Sequence, residues 1–231
     1  MNSNLHDRQF PGETEAYRNA RNQLLEAELD LRARVERLAE MRRRLPLGGE
    51  VNQDYIFEEL IQANESQNVT QTSLSQLFDE PKSTLIIYSF MYSSYMEAPC
   101  VMCTSILDAL EGTAQHLRQR ANLAVVAKSP IHRLREFGDS RGWNNLRMLS
   151  SEQNTYNQDY YGEYADGSQW PACNVFIKRD GKIFHTYATE LLFVESEMQA
   201  RHMDLMWPLW NFLDLTPEGR GSDWYPKLSY E

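Results

Sequence analysis

Cys100 and Cys103 flank Val101 and Met102, and side chains three positions apart on a helix sit one turn apart on the same face. The segment Ala98-Pro99-Cys100 falls between an apolar run and an amphipathic stretch, so Cys100 is expected where a strand gives way to a helix. Free backbone N–H groups and the helix dipole favour a thiolate at such a place. The chemistry that follows is thiol-disulfide exchange, with Cys100 as nucleophile and Cys103 as the thiol that resolves a mixed disulfide. Two other readings share this spacing: half of a zinc site, and a reduced pair packed in a core. Zinc needs two more ligands, and only Cys173 and His185 stand on elements placed to approach. His6, His116, His132 and His202 are isolated.

The elements that must hold this pair can be read on either side of it. Ser83 to Met91 is a nearly continuous apolar and aromatic run, the pattern of a strand buried on both faces. Residues 100 to 119 read as an amphipathic helix with Ile106, Leu107, Leu110 and Leu117 on one side. Leu123 to Ala127 follows as a second buried strand, and residues 130 to 140 as a helix. Cys173 to Ile177 and Ile183 to Tyr187 form a hairpin around Arg179, Asp180 and Gly181. Residues 195 to 213 read as a helix that Pro208 should kink or divide. Upstream, Tyr55-Ile56-Phe57 has strand character, Gln62 to Ser73 reads as an exposed polar loop, and Ser73 to Phe78 as a short helical turn.

Strand, helix, strand, helix, hairpin and last helix is the order of an α/β class fold, a thioredoxin-like α/β/α sandwich. Proteins of that fold place a proline, often cis, before the hairpin and facing the dithiol, and Pro171 occupies that place here. Pro99, Trp170 and Pro171 are then the candidate substrate-binding residues. Cys173 would lie on the adjacent strand as a small buried apolar residue. Tyr156, Asp159, Tyr160 and Tyr161 are read either as a substrate surface or as a loop packing its aromatics on the core. Glu97 precedes the pair and no cation stands between the cysteines, so Cys100 is expected nearer ordinary thioredoxin than a strong oxidant in pKa. Glu97 also stands where a peroxidatic cysteine wants Thr or Ser, which disfavours peroxidase chemistry.

Residues 13 to 45 read as one long helix, acidic toward its start, arginine-rich toward its end and stopped by Pro46, Gly48 and Gly49. The 231 residues therefore divide into a helical arm, 1–50, and a thioredoxin-like domain, 51–231. Leu24, Leu31, Leu38 and Leu45 recur every seven residues, but Glu28 and Arg42 interrupt a coiled-coil seam. The narrow stripe suits docking on the protein's own core or homodimerisation through the N-terminal helix. A formal charge of -10 argues against nucleic acid as a partner, and the arginines 32–44 are read as a solvated helix end. No run approaches the roughly 20 apolar residues that span a bilayer, and Met1 to Thr14 is polar, so a cytoplasmic location is expected. Three cysteines make no disulfide framework.

Several blocks in order extend the picture: Leu24-Leu25, Arg42 to Pro46, Asp54-Tyr55-Ile56-Phe57, Ser73 to Phe78, Cys100 to Cys103, Gly142-Trp143 before Ser150-Ser151, Phe184 to Tyr187, and Leu213 to Arg220. Together they resemble the bacterial thioredoxin-superfamily proteins described as predicted dithiol-disulfide oxidoreductases, a family long classed as a domain of unknown function. The resemblance implies the fold and a dithiol at Cys100 and Cys103, and supplies no substrate. The chain departs from the pattern in its polar segment Gln62 to Gln71 and at Leu146-Arg147-Met148. No Gly-x-Gly-x-x-Gly segment is present, and no cofactor is expected. The expected partners are a disulfide-containing substrate and a cellular dithiol reductant; the rival reading is a redox-inactive binding or assembly module.

Overall fold

The computed structural model describes residues 5–63, 66–195, 203–221 and 223–230. It divides into two compact units, Met1–Pro46 and Leu47–Glu231. The first is built on helix α1, Glu15–Arg43. Thr14 caps it by accepting the Tyr17 N–H at 3.2 Å, Asp30 and Arg34 pair across one turn at 2.9 Å, and Arg42 and Arg43 occupy the last turn. Each of these places charge or a cap where the helix ends and faces favour it.

The second unit is a seven-stranded sheet in the order β2-β1-β5-β4-β3-β6-β7. Its strands are β1 (Ile56–Ala63), β2 (Ser66–Ser73), β3 (Thr84–Phe90), β4 (Asn122–Ala127), β5 (Met148–Ser150), β6 (Ala172–Arg179) and β7 (Lys182–Ala188). The helices are α2 (Val101–Leu117), α3 (Ile131–Ser140), α4 (Tyr156–Asp159) and α5 (Pro208–Leu213). Strands β3, β4 and β5 run parallel, β6 pairs antiparallel with β3, and β7 with β6. That is the thioredoxin-like order, with the β1–β2 hairpin added antiparallel beyond β5.

Alternation along the central strands sorts the core into two faces. Tyr88 and Phe90 of β3 and Leu123, Val125 and Ala127 of β4 meet Ile106 and Leu107 of α2, Leu134 of α3 and Trp210 of α5. Leu85, Ile87, Ala124 and Val126 point the other way, onto Phe57, Leu74, Tyr156 of α4 and Phe176. Burying a Leu or Phe side chain contributes about 1.5–3 kcal/mol, so β3 and β4, buried on both faces, anchor the unit.

Two expectations are corrected. Residues Ser66–Ser73, read as loop, form edge strand β2 paired with β1 from Ile56↔Ser73 to Ala63↔Ser66. The last helix does not run from 195 to 213: residues 196–202 lie outside the described part, and Pro208 stands in the first turn of α5 and begins it. Proline suits that position, because the amide it lacks has no partner in a first turn. The peptide before Pro171 is trans; the cis bond is Glu80–Pro81.

Candidate functional site

Cys100 sits at the N-cap of α2 with φ -59° and ψ 122°, and its carbonyl accepts the Thr104 N–H at 3.0 Å and the Thr104 hydroxyl at 2.9 Å. The extended cap turns the Cys100 side chain back over the first turn, whose N–H groups have no helical acceptor. No acidic residue stands in that turn, so the positive helix end is left to the sulfur.

Cys100 is half-buried and Cys103 is buried. The Cys103 S–H on the Cys100 sulfur, helped by the backbone N–H groups of Cys103 and Met102 and opposed by burial, lowers the Cys100 pKa to about 6. The same contact, with burial, raises Cys103 well above an ordinary thiol. One sulfur is prepared to ionise and the other to keep its proton, the asymmetry thiol-disulfide exchange needs. Glu97, three residues before Cys100, is exposed and not among the groups that shift it.

The loop ahead of Cys100 is held from below by a residue that no sequence pattern singles out. Arg133, at the start of α3, donates to the carbonyls of Ser93 (3.0 Å), Glu97 (3.2 Å) and Met96, and its guanidinium lies 4.3 Å from the Tyr92 ring centroid. The Cys100 N–H donates to Met91 O at 3.0 Å, and Ser94 N–H to Lys128 O at 3.0 Å. Thus β3, β4 and α3 together hold the turn that carries Cys100. On the far side of α2, Trp207 donates its indole N–H to Ser105 Oγ at 3.2 Å, and Asp108 takes the Trp143 N–H at 2.9 Å and the Arg141 guanidinium.

Of the expected substrate-binding residues, Pro99 is buried beside Cys100 in the chain, whereas Trp170 and Pro171 are half-buried. Ala172 pairs with Ser89 in the β6–β3 ladder, so Pro171 lies one step beyond, level with Phe90 and next to the residue whose carbonyl holds Cys100. Trp170 packs edge-on to Tyr164, ring centroids 5.8 Å apart, and its indole N–H is buried without a hydrogen-bond partner among the described residues. Cys173 is buried opposite Tyr88, and burial pushes its thiol up to about 12.

The two side chains offered for a metal separate. Cys173 faces α2, whereas His185 lies on the opposite face, its Nε2 3.0 Å from Asn174 Oδ1 and its ring against Phe176 and Tyr160. Among the described residues no three His, Cys, Asp or Glu side chains gather to hold a metal ion. Tyr156 is fully buried, while Asp159, Tyr160 and Tyr161 help line a cavity of about 580 Å³ with Asn174 and His185. Among the described residues no helix is long and apolar enough to cross a membrane.

No curated protein matches the chain. Among solved structures it is similar to thioredoxin peroxidase I of Plasmodium yoelii, at 14% identity and TM-score 0.47 over 79% of this chain and 100% of that one. It is similar to peroxidoxin BcpB of Mycobacterium tuberculosis at 17% identity and TM-score 0.45 over 71% and 94% of the two chains. With AhpC of Enterococcus faecalis the values are 12%, 0.46, 78% and 98%. These are distant likenesses of backbone course, and the fold stands on the strand order itself. The family model described as "Bacterial protein of unknown function (DUF899)" matches residues 7–230, and the chain belongs to that family.

Proposed function

We propose that the protein is a thiol-disulfide oxidoreductase working through Cys100 and Cys103. The observation that carries this reading is the unequal pair at the head of α2: a half-buried Cys100 whose thiolate is favoured at neutral pH, and a buried Cys103 whose thiol is held well above the ordinary range. In the reaction, the Cys100 thiolate attacks one sulfur of a substrate disulfide, forming a mixed disulfide and releasing the other sulfur as a thiolate, which takes up a proton. Cys103 then loses its proton and attacks the Cys100 sulfur, and the second substrate sulfur leaves as a thiol. The substrate gains two electrons and the protein becomes Cys100–Cys103 disulfide, to be reduced again by a cellular dithiol. Pro99, Trp170 and Pro171 are the residues proposed to border the bound substrate. A reducing compartment such as the cytoplasm suits this direction, because a pKa near 6 lies closer to reductases than to strong oxidants.

Cys103→Ser tests the reading. With the resolving thiol gone, incubation with oxidised glutathione should leave a stable adduct on Cys100, seen as one glutathione by mass, whereas Cys100→Ser should carry none there. A Cys103→Ser protein that stays unmodified across neutral pH would overturn the proposal and leave an inert binding module.

A further inference from the structure

The resolving step asks a buried thiol to ionise. Cys103 is 1% exposed, and once Cys100 is tied up in a mixed disulfide it no longer offers a thiolate to the Cys103 proton. Something in the core must receive the charge that forms on Cys103, since an uncompensated buried anion is strongly disfavoured.

Among the described residues, a core hydroxyl is suited to this. Tyr88 stands in the middle of β3, paired across the ladder with Cys173, in the cluster of buried residues that contains Cys103. Its hydroxyl is fully buried and has no hydrogen-bond partner among the described residues. An unpartnered polar group in a packed core is costly and calls for an explanation. The group acting most on it, after burial itself, is Cys103, followed by Cys100 and Cys173, and Tyr88 in turn favours the thiolate form of Cys103. Cys173, held as a thiol by burial, supplies no competing anion.

We propose that the Tyr88 hydroxyl serves the resolving step, donating its hydrogen bond to the Cys103 sulfur as that sulfur becomes a thiolate and attacks the Cys100 mixed disulfide. The inference rests on the dithiol reading above and adds a third participant to it. Burial keeps the phenol protonated, so Tyr88 acts as a donor and not as a base. The Cys103 proton leaves with the departing substrate sulfur, the Cys103–Cys100 bond forms, the Cys100–substrate bond breaks, and Tyr88 ends with the proton it began with. A donor left without a partner in the resting dithiol, and engaged as charge develops on the sulfur, is the form such assistance takes.

Ellman's disulfide separates the two steps, because it releases one coloured thiolate when Cys100 attacks and a second when Cys103 resolves. Tyr88→Phe keeps the ring in the core and removes only the hydroxyl. The first release should keep its rate within about twofold, while the second slows roughly tenfold or more, as expected for loss of a hydrogen bond to a charged group. A merely structural role would loosen the core around both sulfurs and alter both releases together, or expose Cys103 and speed the second. Equal second-phase rates in Tyr88→Phe and the unaltered protein would overturn the proposal while leaving the dithiol reading intact. Failure of the unaltered protein to release a second thiolate would overturn both. Should Tyr88→Phe fold poorly, tyrosine labelled at Cζ answers the question in Cys100→Ser: the Tyr88 resonance should move as Cys103 titrates, and a resonance that stays fixed contradicts the role.

Discussion

Among the residues, the reactivity of the pair depends on where two protons reside. Cys100 has a pKa of about 6 against an ordinary value near 9, chiefly through the Cys103 S–H and two backbone N–H groups. Its thiolate absorbance and alkylation rate should therefore rise as pH increases through about 6 and level off above. Cys103→Ala, which removes the largest cause, should move the midpoint up toward 9; an unmoved midpoint would show that the N–H groups alone set it. The sign for stability follows from the same shift. The folded-state pKa is depressed, so between about 6 and 9 the unfolded chain holds a proton that the folded chain has released, and the reduced protein gains stability as pH rises through that window. The cysteines were legible in the sequence because spacing and the strand-to-helix junction define them locally. The buried Tyr88 hydroxyl was not, since in an apolar run nothing marks which hydroxyl will be left in the core without a partner. Only strand alternation, which puts Tyr88 and Phe90 on the face toward α2, could have pointed to it.

Among the elements, Cys100 is placed by a turn that belongs to no regular structure and is held by its neighbours. Arg133 reaches from α3 to the carbonyls of Ser93, Met96 and Glu97, leaving those acceptors without their charged donor if the guanidinium is removed. Arg133→Gln is expected to cost about 1–3 kcal/mol in urea unfolding and to slow alkylation of Cys100 without abolishing it. A variant with unchanged stability and reactivity would remove Arg133 from the account. Its distance along the chain, 33 residues after Cys100, is why sequence reading passed over it: the contact exists only once β4 brings α3 beside the loop. The misread β2 has a different cause. Its Gln, Asn, Ser and Thr residues look like loop, yet an edge strand exposed to water accepts polar side chains. Three-residue β5 is too short to show a period at all, although its neighbours β1 and β4 fix it in the sheet.

At the scale of the molecule, strand order and helix placement were legible because β3, α2, β4, α3 and the β6–β7 hairpin each carry a strong local pattern, and parallel pairing with right-handed crossovers admits few arrangements. Among the described residues, the groups that act on the two cysteines lie in the Leu47–Glu231 unit: the Cys100 N–H bonds to the residue that follows β3, the first turn of α2 offers its N–H groups, and Arg133 of α3 clamps the loop. Function then turns on a single property of the whole protein, that the two sulfurs form a reversible couple. That claim is met most directly by the reduction potential of Cys100 and Cys103, measured in dithiothreitol and glutathione buffers with free thiols trapped and Cys100→Ser as control. A two-electron couple between about -180 and -280 mV is expected, the range of working reductases and isomerases. Failure of the two residues to form a disulfide under oxidising conditions would contradict it.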